Sequence, residues 1–340
     1  MAKHDTKSRA RPKGGAGAEG VHGPAFLRTM LLQRHFEERV AEAYALGKIG
    51  GFCHLYIGQE ALSTGVMSVL RDDDYVITTY RDHGQALARG VPPRSVMAEL
   101  FGRVDGCSHG KGGSMHLFDR NVNFLGGHGI VGAHVPLATG VAFAIKYRGG
   151  DQVIVCSLGE AAVNNGAFHE SLNMAQLWTL PVIFLIENNR YGMGTAIERS
   201  AAGSTLLERG AAYEMACEAV DGQDVFVVRA AMQRAVQRAR TESQPTLLEV
   251  HTNRYMGHSM SDAASGTYRS KAELTEDRKR DPIGNLTITL LETGVMTEDG
   301  VKALDDEIKA VVQDAWDFAE QSPEPPAGAL FEDVLVDTHT

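Results

Sequence analysis

The chain has 340 residues, 43% of them hydrophobic, and a formal net charge of −10 at pH 7, with a pI near 5.7. An acidic chain with no basic stripe in its foldable part excludes nucleic acid as an expected partner. No apolar run approaches the ~18 residues of a membrane span, and Cys53, Cys107, Cys156 and Cys217 lie too far apart for a CxxC zinc or disulfide framework, which suits a reducing, cytosol-like compartment.

Residues 1–22 are basic, Gly/Ala-rich and almost without large apolar side chains, and read as a disordered tail. Asp5 and the lack of a leucine stripe argue against a mitochondrial transit peptide and favour a bacterial cytoplasmic location. Residues 23–340 read as one α/β domain without a repeat or a boundary. Its first helix is expected to open at Pro24 and run to about Leu46, with Leu27, Met30 and Leu31 on one face. Glu60 to Leu70 follow as a helix, and Tyr75 to Tyr80 as a buried strand whose exit carries Tyr80, Arg81 and His83.

Residues 102 to 132 read as loop, with nine glycines interleaved with Met115, Phe118, Phe124, Ile130 and Val131. Glycine-rich backbone inside a compact chain implies a close approach to a ligand. A helix is expected over Ala133–Tyr147. Ala219 to Gly222 read as a short strand and turn, Asp224–Arg240 as a helix, and Thr246–Val250 as a last strand. A polar loop follows. Then come a helical stretch from Arg278 to Thr293 around Pro282 and a final helix over about Asp305–Glu320. Strands alternating with helices predict a parallel sheet covered on both faces.

The most informative stretch is Val153–Gly194, VIVCSLGEAAVNNGAFHESLNMAQLWTLPVIFLIENNRYGMG. An apolar strand ends at Gly159-Glu160, a helical pattern follows, and a second strand ends at Glu187-Asn188-Asn189. Ligands of open parallel sheets sit at such carboxyl ends. Glu160 and Asn189 offer hard oxygens there, a chemistry suited to Mg²⁺ and phosphate rather than zinc. His109, His116, His128 and His134 are irregularly spaced and form no HExxH-type set, and GKGGS at 110–114 lacks the P-loop spacing.

This unit resembles the thiamine-diphosphate motif, a Gly-Asp-Gly followed at a distance by Asn-Asn. Here it stands as Gly159-Glu160-Ala161 and Asn188-Asn189, with Glu and Ala in place of Asp and Gly. With GAFHESLNMAQLW and ENNRYGMGT, the chain from about residue 24 to 335 is similar to the α subunits of the two-subunit 2-oxo acid dehydrogenases. It is nearest to those acting on pyruvate, with acetoin and branched-chain 2-oxo acids as alternative substrates and a non-catalytic subunit as the reading from another class.

The resemblance implies a thiamine-diphosphate-binding fold with thiamine diphosphate and Mg²⁺ as cofactors. It implies Glu160, Asn189 and the main-chain carbonyl of Tyr191 as metal ligands, with Ala161 and Ala162 beside the diphosphate. His54, Tyr80, Arg81, Arg254 and His258 (FCHLY, TYRDHG, NRYMGHS) are implied at the diphosphate or the active-site entrance, with His258 and His54 as catalytic groups. Gly129 and Val131 are implied against the aminopyrimidine ring. The loop SMSDAASGTY resembles one that carries phosphoserines in eukaryotic relatives, with Ser259 and Ser265 at such positions. The glutamate that activates the pyrimidine belongs in this family to a β subunit, so the expected assembly is α₂β₂, working with a lipoyl acyltransferase.

Overall fold

The computed structural model describes residues 16–203 and 205–335. The strands are β1 (Tyr75–Thr79), β2 (Phe124–His128), β3 (Ile154–Gly159), β4 (Val182–Asn188), β5 (Tyr191–Gly192), β6 (Thr195–Ala196), β7 (Ala216–Asp221) and β8 (Thr246–His251). The helices are α1 (Ala16–Ala45), α2 (Glu60–Met67), α3 (His83–Arg89), α4 (Pro93–Leu100), α5 (His134–Tyr147), α6 (Gly166–Leu177), α7 (Glu208–Ala211), α8 (Val225–Glu242), α9 (Lys271–Arg278), α10 (Pro282–Glu292) and α11 (Glu298–Gln321). Six strands make one parallel sheet in the order β2-β1-β3-β4-β8-β7, and β5 and β6 form a separate two-stranded hairpin.

The period of two along each strand sends alternate side chains to opposite faces. In β4, Ile183 and Leu185 join a core shared with α1, α2, α4, α8 and α11. Val182, Phe184 and Ile186 join a second core with α5 and α6. Both faces are covered, which is why these strands read as continuous apolar runs rather than alternating ones. The α/β expectation is therefore met, with the apolar strands β1, β3, β4 and β8 at the centre and β2 and β7 at the edges.

Helices α3 and α4 are additions to the sequence reading, α11 begins earlier, at Glu298, than the expected Asp305, and three further elements differ from it for reasons of packing or capping. Helix α1 begins at Ala16, so Pro24 lies inside it rather than at its first turn. Residues 16–22 are therefore helical and not part of a disordered tail, while residues 1–15 lie outside the described residues. Packing explains the extension: Gly23 lies against Leu290 of α10, where a side chain would collide, and His22 stacks on Phe26 at 5.5 Å. Strand β2 lies within the glycine-rich stretch expected to be loop. Its glycines let Phe118 cross Gly126, and let Asp82 press on Gly127, the close approach that strand glycines permit. The helical stretch around Pro282 is two helices: α9 ends at Arg278, and Asp281 caps α10 by accepting from the Ile283 and Gly284 amides, with Pro282 in the first turn.

Candidate active site

Strands β3 and β4 are register-matched neighbours, Gly159 opposite Glu187, and Asn188 lies opposite His251 of β8. Residues leaving β3, β4 and β8 therefore meet above one edge of the sheet. Glu160 opens a 3-10 turn, Glu160–Asn164, directly after β3. It is 2% exposed, and its Oε2 accepts from the Asn189 amide at 3.3 Å. Burial raises its pKa above the usual carboxylate value, against the pull of its own main chain, the Asn189 amide, Arg254 and Arg81. Asn189 donates from Nδ2 to Gln59 Oε1 at 3.2 Å, while its own Oδ1 is buried without a hydrogen-bond partner among the described residues. A buried acceptor without a donor is costly. Beside a buried carboxylate, it is a suitable ligand for a hard cation. Tyr191 follows Asn189 at the start of β5, and its hydroxyl donates to Glu273, which turns the side chain to α9. The residues present thus fit a bound Mg²⁺.

The Glu160-Ala161 departure has a local counterpart. A Cβ on Gly192 would lie 2.5 Å from the Ala161 methyl. The hairpin therefore passes this close to Ala161 only because residue 192 has no side chain.

A second cluster stands beside the first. The rings of His54 and Tyr80 are 4.4 Å apart, those of His54 and His258 5.1 Å, and those of Tyr80 and His258 5.7 Å. Arg81 and Arg254 are both buried. Arg81 donates to the carbonyls of Leu55 (2.7 Å) and His258 (2.8 Å); Arg254 donates to Tyr268 Oη (2.8 Å), the Met193 carbonyl and His258 Nδ1 (both 3.3 Å). These partners are neutral, so two buried cations face the cluster without a paired carboxylate among the described residues, where Arg254 Nε also finds no acceptor. Burial, then Arg81, lowers Arg254 to about 10. Burial, with Arg81 and His258 next, lowers His54 to about 2; burial, with Arg81 and Arg254, lowers His258 to about 4. Such a cluster favours an anion, and a diphosphate is the anion for which paired guanidinium groups are suited.

Gly129 and Val131 follow β2 at the same end of the sheet. The Val131 carbonyl accepts from Asn165 Nδ2 at 3.3 Å, which ties this segment to the turn after Glu160. Ile130 and Val131 are 76% and 48% exposed, which offers apolar contact to a ring. Ala162 is buried under the Glu160 turn, whereas Ala161 is exposed on its surface. The structure thus brings together the expected residues from β1, β2, β3, β4 and β8.

His83 departs from the strand-exit group. It turns into the core, with Nδ1 3.0 Å from Glu37 Oε2 and Nε2 3.0 Å from the Ser114 carbonyl. Much of the glycine-rich stretch also serves the protein itself: the amides of Ser108, Gly110, Gly112 and Gly113 close on the buried Glu99 carboxylate. Ser259 is 7% exposed and its Oγ is 2.7 Å from Ser261 Oγ. Two site residues escaped the sequence reading. Gln59 has a buried Nε2 without an acceptor beside Asn189, and its signal was the glycine-punctuated FCHLYIGQE. Tyr268, which holds Arg254, carried no sequence signal of its own.

His134 gives a pH test of the same wall. Its Nε2 donates to the Ser157 carbonyl at 2.8 Å, and burial lowers its pKa to about 4. A histidine depressed in the fold contributes stability above its unfolded value, near 6.5, and loses it as pH falls toward 4. His134→Gln retains a donor at the Nε2 position and does not titrate. In urea unfolding, the stability of the natural protein relative to this variant is expected to fall between pH 6.5 and 4, by up to about 1.4 kcal/mol per pH unit. A constant difference across that window would contradict the assignment.

With this geometry in place, the comparisons with known proteins point one way. The profile of the family described as "Dehydrogenase E1 component" matches residues 28–328. The chain is 50% identical over 310 residues to the pyruvate dehydrogenase E1 component subunit alpha of Rhizobium meliloti, covering 91% of this chain and 88% of that one. It is 49% identical over 313 residues to the protein of the same name from Zymomonas mobilis, covering 92% and 88%. It is 46% identical over 308 residues to that from Rickettsia felis, covering 91% and 94%.

Proposed function

The chain belongs to the dehydrogenase E1 component family, and we infer that it is the α subunit of a thiamine-dependent dehydrogenase that oxidatively decarboxylates pyruvate and passes the acetyl group to a lipoyl acyltransferase. The observation that carries this reading is the buried Asn189 Oδ1, left without a partner among the described residues, beside the Glu160 carboxylate and two guanidinium groups bonded only to neutral acceptors. Glu160, Asn189 and the Tyr191 carbonyl would hold Mg²⁺. Arg81 and Arg254, with Gln59 beside Asn189, would neutralise and orient the diphosphate. Gly129 and Val131 would position the pyrimidine through main-chain bonds and apolar contact. When bound, thiamine diphosphate supplies the carbon nucleophile and the electron sink that release carbon dioxide from a 2-oxo acid.

This chain's own histidines manage protons around that chemistry. Arg254 can only donate, so His258 Nδ1 accepts and its Nε2 carries the proton in the neutral ring. His54, lower in pKa, remains a neutral neighbour that fixes the orientation of His258 and Tyr80.

A β subunit completes the site in this reading. The exposed Ile130 and Val131 support it, and so does an apolar groove of about 320 Å³ between α5 and α6, lined by Pro136, Phe143, Met174 and Trp178. Exposed apolar side chains grouped on one face suit a protein contact. The test is reconstitution. Purified α and β subunits together should decarboxylate pyruvate in the presence of thiamine diphosphate and Mg²⁺, faster than they turn over acetoin or branched 2-oxo acids, and neither subunit should do so alone. Full thiamine-dependent turnover by the α subunit alone would refute the two-subunit site.

A further inference from the structure

We propose that Glu99 and His116 are positioning residues that set the pyrimidine-holding segment Gly127–Val131, a reading that rests on the thiamine site inferred above. Glu99, near the end of α4, is fully buried. The amides of Ser108 and Gly110 donate to its Oε2, both at 2.8 Å, and those of Gly112 and Gly113 to its Oε1, at 2.7 and 3.1 Å. Successive main-chain N–H groups of this kind form an anion cradle, and here the anion is supplied by the chain itself. The cradle leads directly into the 3-10 turn Gly113–Met115 and then His116. Ser108 Oγ donates to the His116 carbonyl at 2.8 Å, which fixes the turn from both ends.

His116 then reaches the ligand side. Its Nδ1 lies 3.0 Å from the Gly127 carbonyl. A carbonyl only accepts, so Nδ1 carries the proton. The far edge of the same ring flanks Gly129: its Cε1 and Nε2 lie 3.4 and 3.5 Å from where a Cβ on Gly129 would stand. On the opposite side, Asp82 Oδ2 accepts from the Leu117 amide at 3.0 Å and presses on Gly127. The segment is thereby held between the imidazole and a buried carboxyl, while Ile130 and Val131 just beyond it stay exposed. A carboxylate buried in α4 thus acts through one loop and one imidazole on the main chain that would face the cofactor.

The test uses the assembled α–β complex, with thiamine diphosphate and Mg²⁺ as the probe, binding read by calorimetry, and KM for the cofactor and kcat read separately. Asn reproduces the Nδ1 donor of His116 and Gln does not. His116→Gln is expected to weaken cofactor binding about tenfold, with kcat at saturating cofactor within about twofold, the scale of one lost hydrogen bond. His116→Asn should stay within about threefold of the natural complex, because the donor is kept. Glu99→Gln turns an amide N–H₂ toward main-chain donors, so it should weaken binding at least as much and speed amide exchange over residues 108–116. If Glu99→Gln does not fold, the two His116 variants still decide the matter. Equal binding by His116→Gln and the natural complex, or equal weakening by both His116 variants, would overturn the positioning role. Failure of the natural complex itself to bind thiamine diphosphate would overturn the site reading and with it this inference.

Discussion

Glu160→Ala is expected to abolish magnesium-dependent binding of thiamine diphosphate by the assembled complex, with a loss of affinity of about a hundredfold or more, since even partners that only orient metal ligands are worth about 10–100-fold. Glu160 would be the one anionic protein ligand of the metal; Asn189 and the Tyr191 carbonyl are neutral. Removing it would leave the metal with only neutral protein ligands, beside two guanidinium groups that hold the diphosphate but repel the metal. The consequence is specific to metal-assisted binding, so calorimetry with and without Mg²⁺ separates it from misfolding: the natural complex gains affinity with Mg²⁺ and the variant does not. The Glu160-Ala161 pair sharpens the test. Because the Ala161 methyl fits against Gly192, Glu160→Asp alone should shorten the ligand while the turn stays in place, and should bind less tightly than the natural complex. The double change Glu160→Asp, Ala161→Gly lets the turn move with the shorter carboxylate and should recover affinity. A natural complex without any magnesium-dependent binding, restored only by the double change, would mean that this chain serves as a structural subunit.

The sequence made some parts of this site legible and hid others for physical reasons. Strands β1, β3, β4 and β8 are apolar runs because both faces of the sheet are covered, and a run such as Val182–Ile186 can be read without any tertiary knowledge. Strand β2 was hidden because Gly126 and Gly127 carry no side-chain pattern; what makes them strand is the packing of Phe118 and Asp82 against them. Helices α3 and α4 are seven and eight residues long, too short for a helical period to stand out. Glu160 and Asn189 could be found because each follows an apolar strand by one residue. Gln59 opens no strand, and its relevance lies in an unpaired Nε2 that only three-dimensional packing creates. The glycine-rich stretch misled for the same reason. Glycines do mark a close approach of the main chain to an anion, but at residues 108–113 the anion is the chain's own Glu99 rather than a bound ligand.

His258→Ala is expected to lower kcat by about 10²- to 10⁴-fold, the range of a lost general acid–base group, while changing the affinity for thiamine diphosphate far less. Two features direct the role to His258 rather than His54. His258 is only partly buried, and its pKa is held near 4, by burial first and then by Arg81 and Arg254. His54 is the more buried of the two, at 5% exposed, and is held near 2. A diphosphate offsets the charge of both guanidinium groups, so the His258 pKa should rise toward its ordinary value on cofactor binding, whereas burial keeps His54 neutral. In the loaded complex, the acid limb of kcat should therefore follow His258, appear above pH 4 and vanish in His258→Ala. His258→Gln separates donation from titration: its amide occupies the Nε2 position and can donate a hydrogen bond without exchanging a proton, so activity should recover only in part and remain free of the limb. A kcat within threefold of the natural complex in His258→Ala, with an unchanged pH profile, would remove His258 from the chemistry. The ring contacts with His54 and Tyr80 would then leave it only the task of holding the entrance open.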